Sequence, residues 1–194
     1  MARPVEFVYE DVLTNAMEQF WREGFEASSV QKLLDVTGIN RGTLYNSFGD
    51  KDTFFKSCLE HYGKLVDGEL AVSLNNGELA PWAAIEKYFD LSVTGATAKR
   101  RSMGCLLVNS FCESINYDKE IQKLIKSYYG VIRKAFVARL KDAEKAGQLA
   151  SGVNSELAAD VLMNLLSGLR VHSREGKPAK QLADVVAFTL KSLR

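Results

Sequence analysis

The chain has 194 residues, 46% of them hydrophobic and 10% aromatic, with a formal net charge of +1. That is enough apolar material for one small domain and one larger one, and the near-neutral balance excludes a polycationic nucleic-acid coat. No stretch of about 18 uncharged apolar residues is present, and the start Met1-Ala2-Arg3-Pro4-Val5-Glu6 lacks the apolar core of a signal peptide, so a cytoplasmic protein without a membrane span is expected.

In chain order, the first helix is expected over about Glu6 to Glu23. Leu13, Ala16, Met17, Phe20 and Trp21 form its apolar stripe and Gly24 ends it. Residues 28–51 then read as two very short helices joined by a glycine-containing turn. Ser28 or Ser29 can cap the first, and the Ser28 to Gln31 spacing fits a capping box. Val30, Leu33 and Leu34 share a face, Gly38 suits a left-handed helix end, and Asn40 can cap the next helix from Arg41. Leu44 and Phe48, four residues apart, anchor that second helix inward, leaving Arg41, Thr43, Asn46 and Ser47 outward. Arg addresses guanine and Asn addresses adenine on the major-groove edge, while Thr, Ser and Tyr hydroxyls suit phosphates or bases. A reading helix for double-stranded DNA is the functional expectation.

Asp50 can cap the following helix, whose amide end favours an anion, and Lys51 stands there to hold a phosphate. Phe54, Phe55, Cys58, Leu59, Tyr62, Leu65 and Val66 carry this helix out of the head. The charge of the segment argues the other way. Within residues 1–60 only Arg3, Arg22, Lys32, Arg41, Lys51 and Lys56 are cationic, against ten carboxylates from Glu6 to Glu60. Nonspecific DNA affinity is therefore expected to be weak, because counterion release supplies it.

The rest of the chain reads as helical throughout. Asn75-Asn76-Gly77 marks a helix end or loop, and Pro81 opens a helix carrying Trp82, Ile85, Phe89 and Val93. A short apolar helix is expected from Met103 to Ser114. A long one follows with Ile121, Ile125, Ile132, Phe136 and Leu140 on its stripe, ending near Gly147. Leu157, Val161, Leu162, Leu165, Leu166 and Leu169 mark the next. Pro178 opens the last, with Leu182, Val185, Val186, Thr189, Leu190 and Leu193 on its apolar side. The faces of these last two are wide enough to serve both the core and a partner chain.

Gly24-Phe25, the run Gly42-Thr43-Leu44-Tyr45-Asn46-Ser47-Phe48 and Lys51-Asp52 resemble the N-terminal domain of the TetR family of bacterial transcriptional repressors, over roughly residues 8 to 60. The resemblance implies an all-α fold: a three-helix helix-turn-helix DNA-binding domain over residues 1–50, followed by a helical ligand-binding and dimerisation domain over 51–194. It implies DNA contacts at Ser29, Arg41, Gly42, Thr43, Tyr45, Asn46, Ser47 and Lys51. Tyr45 and Lys51 match the family's usual residues, whereas Asn46 and Ser47 replace a frequent aromatic and histidine pair, which implies a different operator. It further implies a homodimer through the last two helices, a palindromic operator and release by a small-molecule inducer.

Candidate pocket residues are Trp82, Phe89, Met103, Cys105, Asn109, Phe111, Tyr128 and His172. The Gly104-Cys105-Leu106 opening resembles a TetR subgroup that senses electrophiles or oxidants through the corresponding cysteine, with a buried, merely packed thiol as the bland alternative. Cys105 and Cys112 stand about 10 Å apart along one helix, too far for an undistorted disulfide. No cofactor and no metal site is expected from three cysteines and two separated histidines. A helical small-molecule binder or enzyme without a DNA role is the competing class, although no phosphate loop or nucleophile with an attendant base is recognisable.

Overall fold

A computed structural model describes residues 8–194, which form ten α-helices and no strand. Helix α1, Tyr9–Glu23, begins behind Val8, and the part of the expected helix at Glu6 lies outside the described residues. It buries Val12, Leu13, Ala16, Met17, Phe20 and Trp21 and stops at Gly24 (φ 84°).

Helix α2, Val30–Thr37, is capped by Ser29, whose Oγ accepts from the Lys32 N–H at 3.3 Å. The expected Ser28–Gln31 capping box does not form. Ser28 is buried and donates to the Gly24 carbonyl at 2.6 Å, while Gln31 donates to Asp35 at 2.8 Å. Gly38 (φ 70°) makes the left-handed turn, a conformation any Cβ would strain. Helix α3, Arg41–Phe48, starts where Asn40 Oδ1 accepts from the Thr43 N–H at 2.8 Å.

Helix α4, Lys51–Ala71, is capped by Asp50, which accepts from the Thr53 N–H at 2.8 Å. That bond lowers the Asp50 pKa and keeps the cap ionised. Phe54, Phe55, Cys58 and Leu59 face the head, and Tyr62, Val66 and Leu70 continue into the body, so α4 serves both. Leu65, expected on the same stripe, is instead 43% exposed, since it falls outside the row set by Cys58, Tyr62 and Val66.

Helix α5, Pro81–Phe89, widens into a π turn over Asp90–Thr94. The helix expected from Met103 to Ser114 is two elements. Met103 ends α6, Ala98–Met103; Gly104 (φ 73°) breaks the chain direction; and Cys105 stands at the N-cap of α7, Leu106–Glu113. Apolar continuity across Met103–Leu107 concealed this break, which the glycine makes. Helix α8, Lys119–Lys145, packs on α4, α5 and α7, and α9, Ser155–Arg174, and α10, Ala179–Ser192, close the body. None of the helices among the described residues is long and apolar enough to cross a membrane.

The body holds the head by the C-terminal end of α1. Asn109 of α7 donates to the Trp21 carbonyl at 3.4 Å, and Arg174 of α9 donates to that of Arg22 at 3.1 Å. The Glu113 carboxylate accepts from the Phe25 N–H at 3.4 Å and from the Tyr117 hydroxyl at 2.9 Å. Phe25, Phe55 and Tyr117 form an aromatic cluster across the same junction, with ring centroids 5.1–5.5 Å apart.

Candidate nucleic-acid interface

Helix α3 is pinned from beneath. Leu44 and Phe48 are buried, and the Phe48 ring lies between Tyr9 at 5.3 Å and Phe54 at 4.2 Å. With that face fixed, the other side of the helix presents Arg41, Gly42, Tyr45, Asn46 and Ser47 to solvent, with Thr43 half-buried. Ser29 is exposed at the start of α2. A Cβ at Gly42 would come within 3.2 Å of Asn40 Oδ1, so glycine there leaves the α3 cap room. Of the outward set expected from the sequence, Arg41, Asn46 and Ser47 are exposed and Thr43 is half-buried, while Tyr45 joins the exposed face; these side chains carry donors and acceptors of the kind that base edges take. Lys51 is less free. Its ammonium sits 4.2 Å from the centroid of the Phe25 ring, a cation–π contact that holds it beside the α4 N-terminus.

Some of the head's charges are paired. Glu18 pairs with Lys99 of α6 at 2.7 Å, and Glu10 pairs with Lys64 of α4 at 3.1 Å. Glu23 takes Lys32, and Lys56 takes Glu120. Three carboxylates of α1 are therefore answered by cations of α2, α4 and α6, two of which, Lys64 and Lys99, lie beyond residue 60. Arg41 has no ion-pair partner among the described residues, which leaves its guanidinium free on the exposed face of α3.

The residues expected around a ligand do not gather in one place. Trp82, Phe89 and Met103 are buried in the core, and the Arg194 guanidinium covers the Trp82 ring at 4.7 Å. Tyr128 packs over Gly63, and His172 is exposed beside Glu175 on a groove between α9 and α10. Phe111 lines an open cleft of about 430 Å³ between α7, α8 and α9, and Asn109 lines a neighbouring one.

Only Cys105 of that set reaches an enclosed cavity, bounded also by Tyr62, Tyr88, Tyr129, Glu69 and Arg170. The sequence reading did not single out Tyr88 or Arg170. A signal for Arg170 was present: a cation falls at the fourth position after Leu166 and the eighth after Leu162, in the middle of the α9 apolar stripe.

All three cysteines are free thiols. Cys58 and Cys105 are buried and Cys112 is exposed. Burial pushes the Cys58 thiol well above its ordinary range, and Cys105 Sγ lies 3.4 Å from the Tyr62 hydroxyl. Alkylation of the folded protein is expected to modify Cys112 first, with Cys105 and Cys58 reacting only as the chain opens. Mass spectrometry of peptides over a labelling time course measures that order. Among the described residues no group of three or more His, Cys, Asp or Glu side chains could hold a metal ion.

Residues 12–58 match the family model described as bacterial regulatory proteins, tetR family. The whole chain is similar to the HTH-type transcriptional repressor ComR of Escherichia coli strain K12, 26% identical and covering 97% of this chain and 90% of that protein. It is 32% identical to the uncharacterized HTH-type transcriptional regulator YezE of Bacillus subtilis strain 168, covering 82% and 81%. Among solved structures it is similar to a cysteine mutant of the TetR family transcriptional regulator CifR complexed with a 26-base-pair operator DNA. That likeness has a TM-score of 0.80 and 25% identity over 98% of this chain and 99% of that one. The regulatory protein TetR from Rhodobacter sphaeroides shares the fold at a TM-score of 0.87, with 16% identity over 96% and 98%.

Proposed function

Because this chain belongs to the TetR family of bacterial regulatory proteins, we propose that it is a dimeric, ligand-responsive transcriptional repressor that occupies a palindromic operator. Its relatives are transcriptional regulators, and the chain is one of that kind and not an enzyme. The observation that carries the reading is the outward face of α3, polar and bearing Arg41 without an ion-pair partner among the described residues, on a helix fixed by Leu44 and Phe48.

Residues 1–50 are assigned as the DNA-binding head and 51–194 as the ligand-binding and dimerisation body, with the first turns of α4 packed into the head. Arg41, Tyr45, Asn46 and Ser47 address base edges. Ser29, Gly42, Thr43 and Lys51 address the phosphate backbone. Dimerisation is assigned to α9 and α10, whose outer surfaces expose Phe188 (75%), Leu157, Val171 and Val185. An apolar set of that size on neighbouring helices is what a two-fold partner covers. Two copies then present two reading helices, which is why the operator is expected to be an inverted repeat.

Release follows from linkage. A small molecule that binds the DNA-incompetent arrangement more tightly lowers operator affinity by the same coupling factor with which the operator lowers its own.

Selection of binding sites from a random duplex library by the purified protein tests the reading. An enriched inverted repeat whose affinity falls steeply with salt is expected, with random DNA bound far more weakly. No enrichment by folded protein overturns the DNA role.

A further inference from the structure

The cavity between α4, α5, α7, α8 and α9 is lined by one guanidinium, Arg170, and one carboxylate, Glu69, and among the described residues only Glu69 has an ion-pair partner. Arg170 is 6% exposed, its Nε has no hydrogen-bond partner among the described residues, and it lines the cavity. Its one hydrogen bond among the described residues is a long donation, 3.4 Å, from Nη1 to the Gly104 carbonyl. The nearby carboxylate of Glu69 forms its ion pair with Arg100 of α6. One desolvated guanidinium therefore remains, a costly arrangement that an anion of matching shape relieves.

The remaining surroundings fit the same ligand. Burial holds the phenols of Tyr62 and Tyr88 well above their ordinary range, so both stay protonated and able to donate. Val66, Leu107, Ile132 and Leu166 supply apolar walls. The cavity encloses only about 20 Å³, room for roughly one water. It shares Val108, Tyr129 and Ser167 with the 430 Å³ cleft outside. Those three residues form the partition between the inner cavity, which holds Arg170, and the outer cleft.

We propose that this cavity is a binding site for small amphiphilic organic monoanions, with a carboxylate seated on Arg170 and the Tyr62 and Tyr88 hydroxyls and an apolar body extending through the partition into the outer cleft. The guanidinium fork matches a carboxylate in a bidentate manner. A single uncompensated positive charge selects a monoanion, because a dianion such as phosphate would leave a buried negative charge unpaired.

The site deepens the ligand-responsive reading, on which it rests, by connecting the ligand to the head. A carboxylate that takes Arg170 competes with its bond to the Gly104 carbonyl. Gly104 joins α6 to α7, and Asn109 of α7 holds the Trp21 carbonyl at the end of α1. Loosening that joint frees the head from the body at α1.

Calorimetry and thermal melting of the full-length protein with benzoate, phenylacetate and octanoate, each beside its uncharged amide, test the proposal. At least one acid is expected to bind and raise the melting temperature while its amide does neither. Arg170→Gln is expected to weaken that acid roughly ten- to hundredfold, and Arg170→Lys to retain part of the binding. If Arg170→Gln fails to fold, Tyr62→Phe, which keeps the volume and removes one donor, is expected to weaken the acid severalfold. The proposal is overturned if no acid binds, if acid and amide bind alike, or if a folded Arg170→Gln or Tyr62→Phe variant binds the acid as tightly as the parent. Operator affinity of the unliganded protein is measured separately. Operator binding without acid binding removes the anion site and leaves the DNA role, whereas acid binding without operator binding does the reverse.

Discussion

Arg41→Ala is expected to weaken the selected operator by about thirtyfold to ten-thousandfold while leaving the helical fold intact. The size follows from symmetry: a bidentate arginine–guanine contact is worth about 1–3 kcal/mol, and a two-fold dimer loses it at both half-sites, about 2–6 kcal/mol in all. Because Arg41 is exposed and makes no ion pair among the described residues, its removal leaves the unbound protein's packing untouched. Fluorescence anisotropy on the selected duplex and on a scrambled one, together with thermal melting followed by circular dichroism, separates the possibilities. A base-reading Arg41 collapses the difference between the two duplexes. If both affinities fall in parallel, Arg41 touches phosphate only, and if neither falls, α3 is not the reading helix. Lys51→Ala supplies the contrast, since a phosphate contact weakens both duplexes alike and flattens the salt dependence.

The head was legible because its signals are local. Asn40 and Asp50 cap, Gly38 turns left-handed, and Leu44 and Phe48 lie one helical turn apart, so each assignment needed only its sequence neighbours. Errors came where two local signals compete or where contacts are distant. Ser28 and Ser29 both offered a cap, and burial of Ser28 against the Gly24 carbonyl decided between them. Met103 and Leu106 looked like one apolar stripe until Gly104 separated them. The pocket residues were least legible. Large apolar side chains such as Trp82 and Phe89 are the usual material of a core. What distinguishes the inner cavity is one charged residue, Arg170, whose neighbours Tyr62 and Cys105 stand some 65 to 108 positions away in the chain. Which carboxylates of the head are paired was likewise undecidable without geometry, because the cations answering Glu10 and Glu18 come from Lys64 and Lys99.

Phe55→Ala is expected to remove about 3–5 kcal/mol of stability, the range for deleting a fully buried aromatic ring. Phe55 is 1% exposed and contacts rings on three sides: Phe20 at 4.8 Å, Phe25 at 5.1 Å and Tyr117 at 5.5 Å. Phe20 and Phe25 belong to the head, whereas Tyr117 follows α7 in the body, so the lost ring opens a void at the joint between them. Against a total of about 5–15 kcal/mol for a typical domain, that is a large fraction. Denaturant unfolding should show the midpoint falling sharply. Phe55→Leu, which fills most of the volume, should cost well under half as much. Leu65→Ala on the exposed side of the same helix should stay within about 0.5 kcal/mol of the parent. A consequence for DNA binding distinguishes a joint from ordinary core. If Phe55 holds the head at a fixed angle to the body, Phe55→Ala lowers operator affinity even at temperatures where the variant is fully folded. Phe136→Ala, which removes a fully buried ring packed on Tyr88 and Phe89 deep in the body, should cost similar stability with little change in operator affinity of the folded protein. Equal losses of affinity in the two variants would mean that the junction carries no special coupling.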